Sequence, residues 1–182
     1  MAELDSLIKE FINGNKDSFD LIYEQTKQSV YLSIYAIIKN HSVVDDIMQD
    51  TYLKAIDAIS SYKIGTNFKA WISRIARNNA INYYNKESRF ENIEVEDFDE
   101  RFSVDTKTPL IDAALDILDG KEKEIFVYRI ILGYKFKDIA KILDMNLKTA
   151  YFQYKKAINK IKEQIQWKLK ISKSKQEQKL II

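Results

Sequence analysis

Apolar residues recur every three or four positions along this chain, in blocks separated by short polar breaks, which is the spacing of amphipathic helices. Leu4, Leu7, Ile8 and Phe11 form a first stripe, and Phe19, Ile22, Tyr23, Val30, Ile34, Ile37 and Ile38 a second. A third helix is predicted over residues 43–60, with Val44, Ile47, Met48, Tyr52, Ala55, Ile56 and Ile59 inward. A fourth, over residues 67–86, turns Trp71, Ile72, Ile75, Ala76, Ala80 and Tyr83 inward. These four make an amino-terminal bundle.

From residue 87 to Pro109 the periodicity fades and acids accumulate, as in a linker. Beyond it, helices are predicted over residues 110–118, 121–131, 135–143 and 147–170. Breaks fall at Asp119 and Gly120, at Gly133 and Tyr134, and at Asp144, Met145 and Asn146. The chain is therefore divided into an amino-terminal domain (1–88), an acidic linker (89–109), a carboxyl-terminal domain (110–170) and a frayed basic tail (171–182). The expected fold class is all-α, two small helical domains joined by the linker. Four glycines and one proline in 182 residues agree with long helices and short turns, because strand-rich folds of this size use many more turn residues.

Net charge is only +2, but it is unevenly spread. Residues 1–86 balance, residues 87–105 carry eight acids against two bases, and residues 106–182 carry seventeen bases against nine acids. Lys63, Lys69, Arg74, Arg77 and Lys86 follow one another between residues 58 and 86 with no acid among them. Two basic surfaces flanking an acidic strip are the electrostatic footprint of nucleic-acid contact.

Other chemistry is poorly supplied. Without cysteine there is no disulfide or thiolate metal site, and His41 is the single histidine. No glycine-rich phosphate loop occurs and the carboxylates lie on helix faces, so no catalysis, metal or cofactor is expected. The first nine residues do not read as a secretory leader, and no apolar run approaches the roughly 18 residues of a membrane span. A cytoplasmic protein without membrane insertion is the expectation.

The strongest local pattern is YKFKDIAKILDMNLKTAYFQYKKAI over residues 134–158, which looks like a helix-turn-helix. Ala140 is small where two helices would cross, Ile139 and Leu143 are core positions, and Asp144 can take the left-handed turn conformation. Asn146 is placed to cap the second helix. On that helix Leu147, Ala150, Tyr154, Ala157, Ile158, Ile161 and Ile165 keep to one side. Lys148, Thr149, Tyr151, Phe152, Lys155 and Lys156 are left outside, a face suited to phosphates, base edges and thymine methyl groups in a major groove. A solvated basic helix with two stray aromatics is the alternative reading.

On the third helix, Asp46, Gln49, Asp50, Leu53 and Asp57 share the outer face. Polar helix faces usually meet only solvent. A leucine amid acids points instead to a basic protein partner.

The segments DDIMQDTYLKA (45–55) and FKAWISRIARNNAINY (68–83) together resemble the second conserved region of bacterial sigma factors, and the helix-turn-helix resembles their fourth. Their order, the linker between them and the lack of a third domain are similar to the extracytoplasmic-function (ECF) group. The resemblance implies that Asp46, Gln49, Asp50 and Leu53 dock on the clamp helices of the largest subunit of core RNA polymerase, and that the fourth region meets the flap of the second. It implies that Tyr62, Lys63, Asn67 and Asn78 read and open the minus-ten promoter element, with Arg74, Arg77, Lys86 and Arg89 on the phosphate backbone. The outer face of the recognition helix would read the minus-thirty-five element. Anti-sigma proteins, common in the family, would cover these same surfaces.

Structural alternatives stand beside these roles. Tyr62 can equally close the bundle as a core aromatic, Arg74 and Arg77 can be solvated, and the acidic linker can be a plain tether. Ala150, Tyr151 and Phe152 depart from the family's usual recognition residues, Asp119 stands where it usually has proline, and the loop 63–67 is individual, so base preferences do not transfer. A helix-turn-helix regulator that is no polymerase subunit would explain only the last third of the chain.

Overall fold

The computed structural model describes residues 2–38, 40–87 and 109–179. Arg89 and nearly all of the acidic linker lie outside the described residues. Eight α-helices and no strands occur among them. The amino-terminal four are α1 (Ala2–Ile12), α2 (Ser18–Tyr35), α3 (His41–Asp57) and α4 (Phe68–Glu87). The rest are α5 (Pro109–Ile117), α6 (Gly120–Phe126), α7 (Phe136–Ile142) and α8 (Leu147–Lys179). Both helical units of the expected all-α class are present.

Ile8, Ile22, Val30, Ile34, Val44, Ile72, Ala76 and Ala80 are buried together where α1 to α4 meet. Polar groups inside this bundle are partnered, as burial requires. The Thr26 and Tyr52 hydroxyls lie 2.8 Å apart, and Asn79 Nδ2 donates to Thr51 Oγ1 at 3.0 Å. Asn40 caps α3, its side chain accepting from the Val43 N–H at 3.2 Å, so the helix begins two residues earlier than periodicity alone predicts.

In the second unit, α6 widens into a π-helical turn at Val127–Ile131, where a continuous helix is expected from the apolar spacing. The turn after α7 places Asp144 at φ 50°, and Asn146 accepts from the Thr149 N–H at 2.8 Å to cap α8. Leu147 and Ile165, expected inward, are exposed. The frayed tail expected after residue 170 is corrected in its backbone: α8 continues to Lys179, 33 residues in all. Neither glycine nor proline follows Gly133, and the Lys, Gln and Glu that fill the tail are good helix formers.

The two units pack against each other. Ala70 of α4 is buried in one cluster with Ile125, Tyr128, Tyr134, Ile139, Ile142 and Leu143, while Val127 joins the core of the amino-terminal bundle. A residue as small as Ala70 lets α7 approach α4 closely.

Candidate nucleic-acid interface

On α3 the structure brings Asp46, Gln49, Asp50 and Leu53 to one exposed face. Leu53 is 58% exposed, and no core need explains a leucine there. Asp50 pairs with Lys54 at 2.7 Å, and Lys54 also donates to Asn79 Oδ1 at 2.8 Å. The lysine is thereby drawn toward α4, leaving the outer face acidic.

The loop before α4 is shaped by its own residues. Gly65 sits at φ 87°, where a side chain would be strained. Thr66 Oγ1 donates to Lys63 O at 2.7 Å, and Asn67 accepts from the Ala70 N–H at 3.2 Å to start the helix. Lys63, Arg74, Asn78 and Lys86 are exposed, and Asn67 is half-buried.

Two expected contacts are not surface groups. The Tyr62 ring is 5% exposed, packed edge-on against Phe68 at 4.9 Å and tilted against Trp71 at 5.5 Å. It takes the core position that closes the bundle, the structural alternative to a place on a base. Its hydroxyl donates to Thr66 O at 2.7 Å, which pins the loop, and burial pushes its pKa up to about 12. Arg77 is 8% exposed, with its guanidinium held by both carboxylate oxygens of Glu124, Nη2 to Oε1 at 3.1 Å. In this conformation it meets a carboxylate rather than phosphate or water.

On α8, Lys148, Tyr151, Phe152, Lys155 and Lys156 are exposed and Thr149 is half-buried. Tyr151 packs edge-on against Phe136 at 5.4 Å, and Lys155 Nζ lies 5.1 Å from the Tyr151 ring centre. Those contacts orient Tyr151. Phe152, 64% exposed, projects into solvent. Lys156 points back to Glu122 of α6 at 2.7 Å, and this hydrogen bond holds the Glu122 carboxyl below the usual carboxylate range.

Sequence reasoning missed the groups that join the two units: Glu124, Asp138, Ser73 and Tyr134. Asn67 Nδ2 donates to Asp138 Oδ2 at 3.2 Å, and the Ser73 and Tyr134 hydroxyls are 3.2 Å apart. The available signal was Glu124 four residues before Tyr128, one face of a helix otherwise apolar from Ile125 onward.

Comparison with known proteins gives this geometry a family. Residues 22–90 match the family model of Sigma-70 region 2, and residues 109–161 that of Sigma-70, region 4. The chain is similar to the ECF RNA polymerase sigma factor SigX of Bacillus subtilis, 23% identical over 142 residues, covering 70% of this chain and 73% of that one. It is also similar to the ECF RNA polymerase sigma-E factor of Haemophilus influenzae, 25% identical over 180 residues, covering 88% and 94%. Among solved structures, the sigma factor RpoE of Bartonella quintana, solved with the anti-sigma factor NepR, shares the fold. Its TM-score is 0.67 at 22% identity, covering 81% of this chain and 96% of that one. CnrH, solved with the cytosolic domain of CnrY, gives a TM-score of 0.66 at 21% identity, covering 89% and 96%. With both conserved regions matched in order on one all-helical chain, the protein belongs to the sigma-70 family, in its extracytoplasmic-function group.

Proposed function

We propose that this chain binds core RNA polymerase, directs it to particular promoters, and takes part in opening them without catalysing a reaction itself. The observation that carries this reading is the exposed α3 face with Leu53 amid acids, on the same chain as a helix-turn-helix. A duplex-binding regulator has no use for that face. Asp46, Gln49, Asp50 and Leu53 dock on the clamp helices of the largest subunit, and the fourth region meets the flap of the second.

Lys63, Asn67 and Asn78 read the minus-ten element as it opens, and Arg74, Lys86 and Arg89 hold its backbone, the loop kept in place by Tyr62 from within the core. Arg77 joins them when released from Glu124. Lys148, Thr149, Tyr151, Phe152 and Lys155 read the minus-thirty-five element. No helix among the described residues is long and apolar enough to cross a membrane, which fits work in the cytoplasm beside the chromosome. RpoE was solved with the anti-sigma factor NepR, and an anti-sigma protein acting here would cover the same surfaces.

Run-off transcription with purified core polymerase and genomic fragments from the source organism tests the function. New discrete transcripts that depend on this protein are expected; duplex binding without polymerase binding would leave the plain regulator as the better reading. Within the recognition helix, Lys155→Ala should lower the salt slope of minus-thirty-five binding by about one counterion. Lys156→Ala should lower it less, because Glu122 already holds that ammonium. Equal slopes for the two variants in anisotropy titrations would contradict the placement.

A further inference from the structure

We propose that Asn79 is a positioning residue for polymerase docking: it takes up the Lys54 ammonium, so that Asp50 can be engaged by a basic group of the partner. The proposal rests on the docking role given above to the α3 face, and it names the device that keeps the Asp50 carboxylate available there. Asp50 and Lys54 stand at i and i+4 with the acid first, the order in which such pairs form most readily along a helix. Left alone, the lysine would be a built-in competitor for any cation approaching Asp50.

A chain of hydrogen bonds from α3 to α4 gives this competitor a second acceptor. Thr51, fully buried, donates its hydroxyl hydrogen to Ile47 O at 2.7 Å, so toward Asn79 its oxygen can only accept. Asn79 Nδ2 therefore faces Thr51, at 3.0 Å, and Oδ1 of the same 7% exposed residue accepts from Lys54 Nζ at 2.8 Å. Reversing the amide would set N–H against ammonium and carbonyl against hydroxyl oxygen, so the backbone carbonyl of Ile47 fixes where Lys54 finds its acceptor. The ammonium spends one donor on Asp50 Oδ2 and another on Asn79 Oδ1. When a partner's cation takes the carboxylate, Lys54 keeps a charge-assisted hydrogen bond on the α4 side.

Equilibrium titration of the dye-labelled full-length chain with core RNA polymerase tests this as a double-mutant cycle. Asn79→Leu, alike in branching but apolar, should weaken binding about fivefold, because Lys54 is left with Asp50 alone. Lys54→Met should tighten binding about threefold in the parent, and should bring the Asn79→Leu chain to the same affinity as Lys54→Met by itself. A role of Asn79 in packing alone predicts the same loss whichever residue stands at position 54. Asn79→Ala, which needs no new space, is the second variant, and circular dichroism melting shows that each chain is folded.

A loss with Asn79→Leu that persists undiminished beside Lys54→Met, no loss with either Asn79 variant, or weaker binding by Lys54→Met alone each overturns the proposal. Asp50→Lys is run beside them. If it leaves affinity unchanged, the docking role of α3 fails and the Asn79 role with it, whereas a large loss with Asp50→Lys and none with the Asn79 variants removes the Asn79 role alone.

Discussion

Asp50→Lys should weaken binding to core RNA polymerase about a hundredfold, equivalent to about 2.7 kcal/mol, while leaving the melting temperature nearly unchanged. The carboxylate lies on the exposed α3 face with Asp46 and Gln49, one turn from Leu53. Reversal removes an attraction to a basic partner and adds a repulsion. Leu53, surrounded by the new charge, would then have to be desolvated beside an unpaired ammonium. Within the fold the change disturbs only the Lys54 pair, half-exposed at i and i+4, and such pairs contribute about 0.3–0.5 kcal/mol. Equilibrium titration of labelled protein with core polymerase decides it, and an affinity within twofold of the parent would remove α3 as the docking surface.

Arg77→Met should destabilise the folded chain by about 3–5 kcal/mol, because it leaves the Glu124 carboxylate buried with no counter-charge. Adding Glu124→Leu should recover most of that loss. Two apolar side chains of similar length can fill the seam beside Ala70 and Tyr128, and replacing a whole buried pair commonly costs little. Urea unfolding followed by circular dichroism measures all three variants. If the double change costs the sum of the two single changes, the two side chains are not coupled and the ion pair is incidental to stability.

Much of this is legible in the sequence. The turn from α7 to α8 is written locally: Asp144 tolerates positive φ and Asn146 caps the next helix, and both features depend on neighbours within a few residues. The acidic face of α3 follows from helical spacing alone. Periodicity names the faces of a helix, however, and does not say which face of which helix it will meet. Arg77 looks like a solvent-facing base in a run of bases, and only the arrival of Glu124 from 47 residues away makes it a buried partner. Tyr62 is ambiguous in the sequence for a related reason: an aromatic at the end of a helix can face a ligand or a core, and here it packs on Phe68 and Trp71. The length of α8 was underestimated because a polar, lysine-rich segment has the composition of both a frayed end and an exposed helix.

That length has a mechanical consequence. Thirty-three residues rise about 50 Å, and no glycine or proline interrupts them. About half of the helix follows Ile161, which packs against the domain core. A force applied near Lys179 is therefore carried to Lys148 and Tyr151 without an intervening hinge, and a modest sideways push at the far end becomes a tilt of the exposed face at the start of α8. Whatever grips that distal end gains a lever on the orientation of Lys148 and Tyr151.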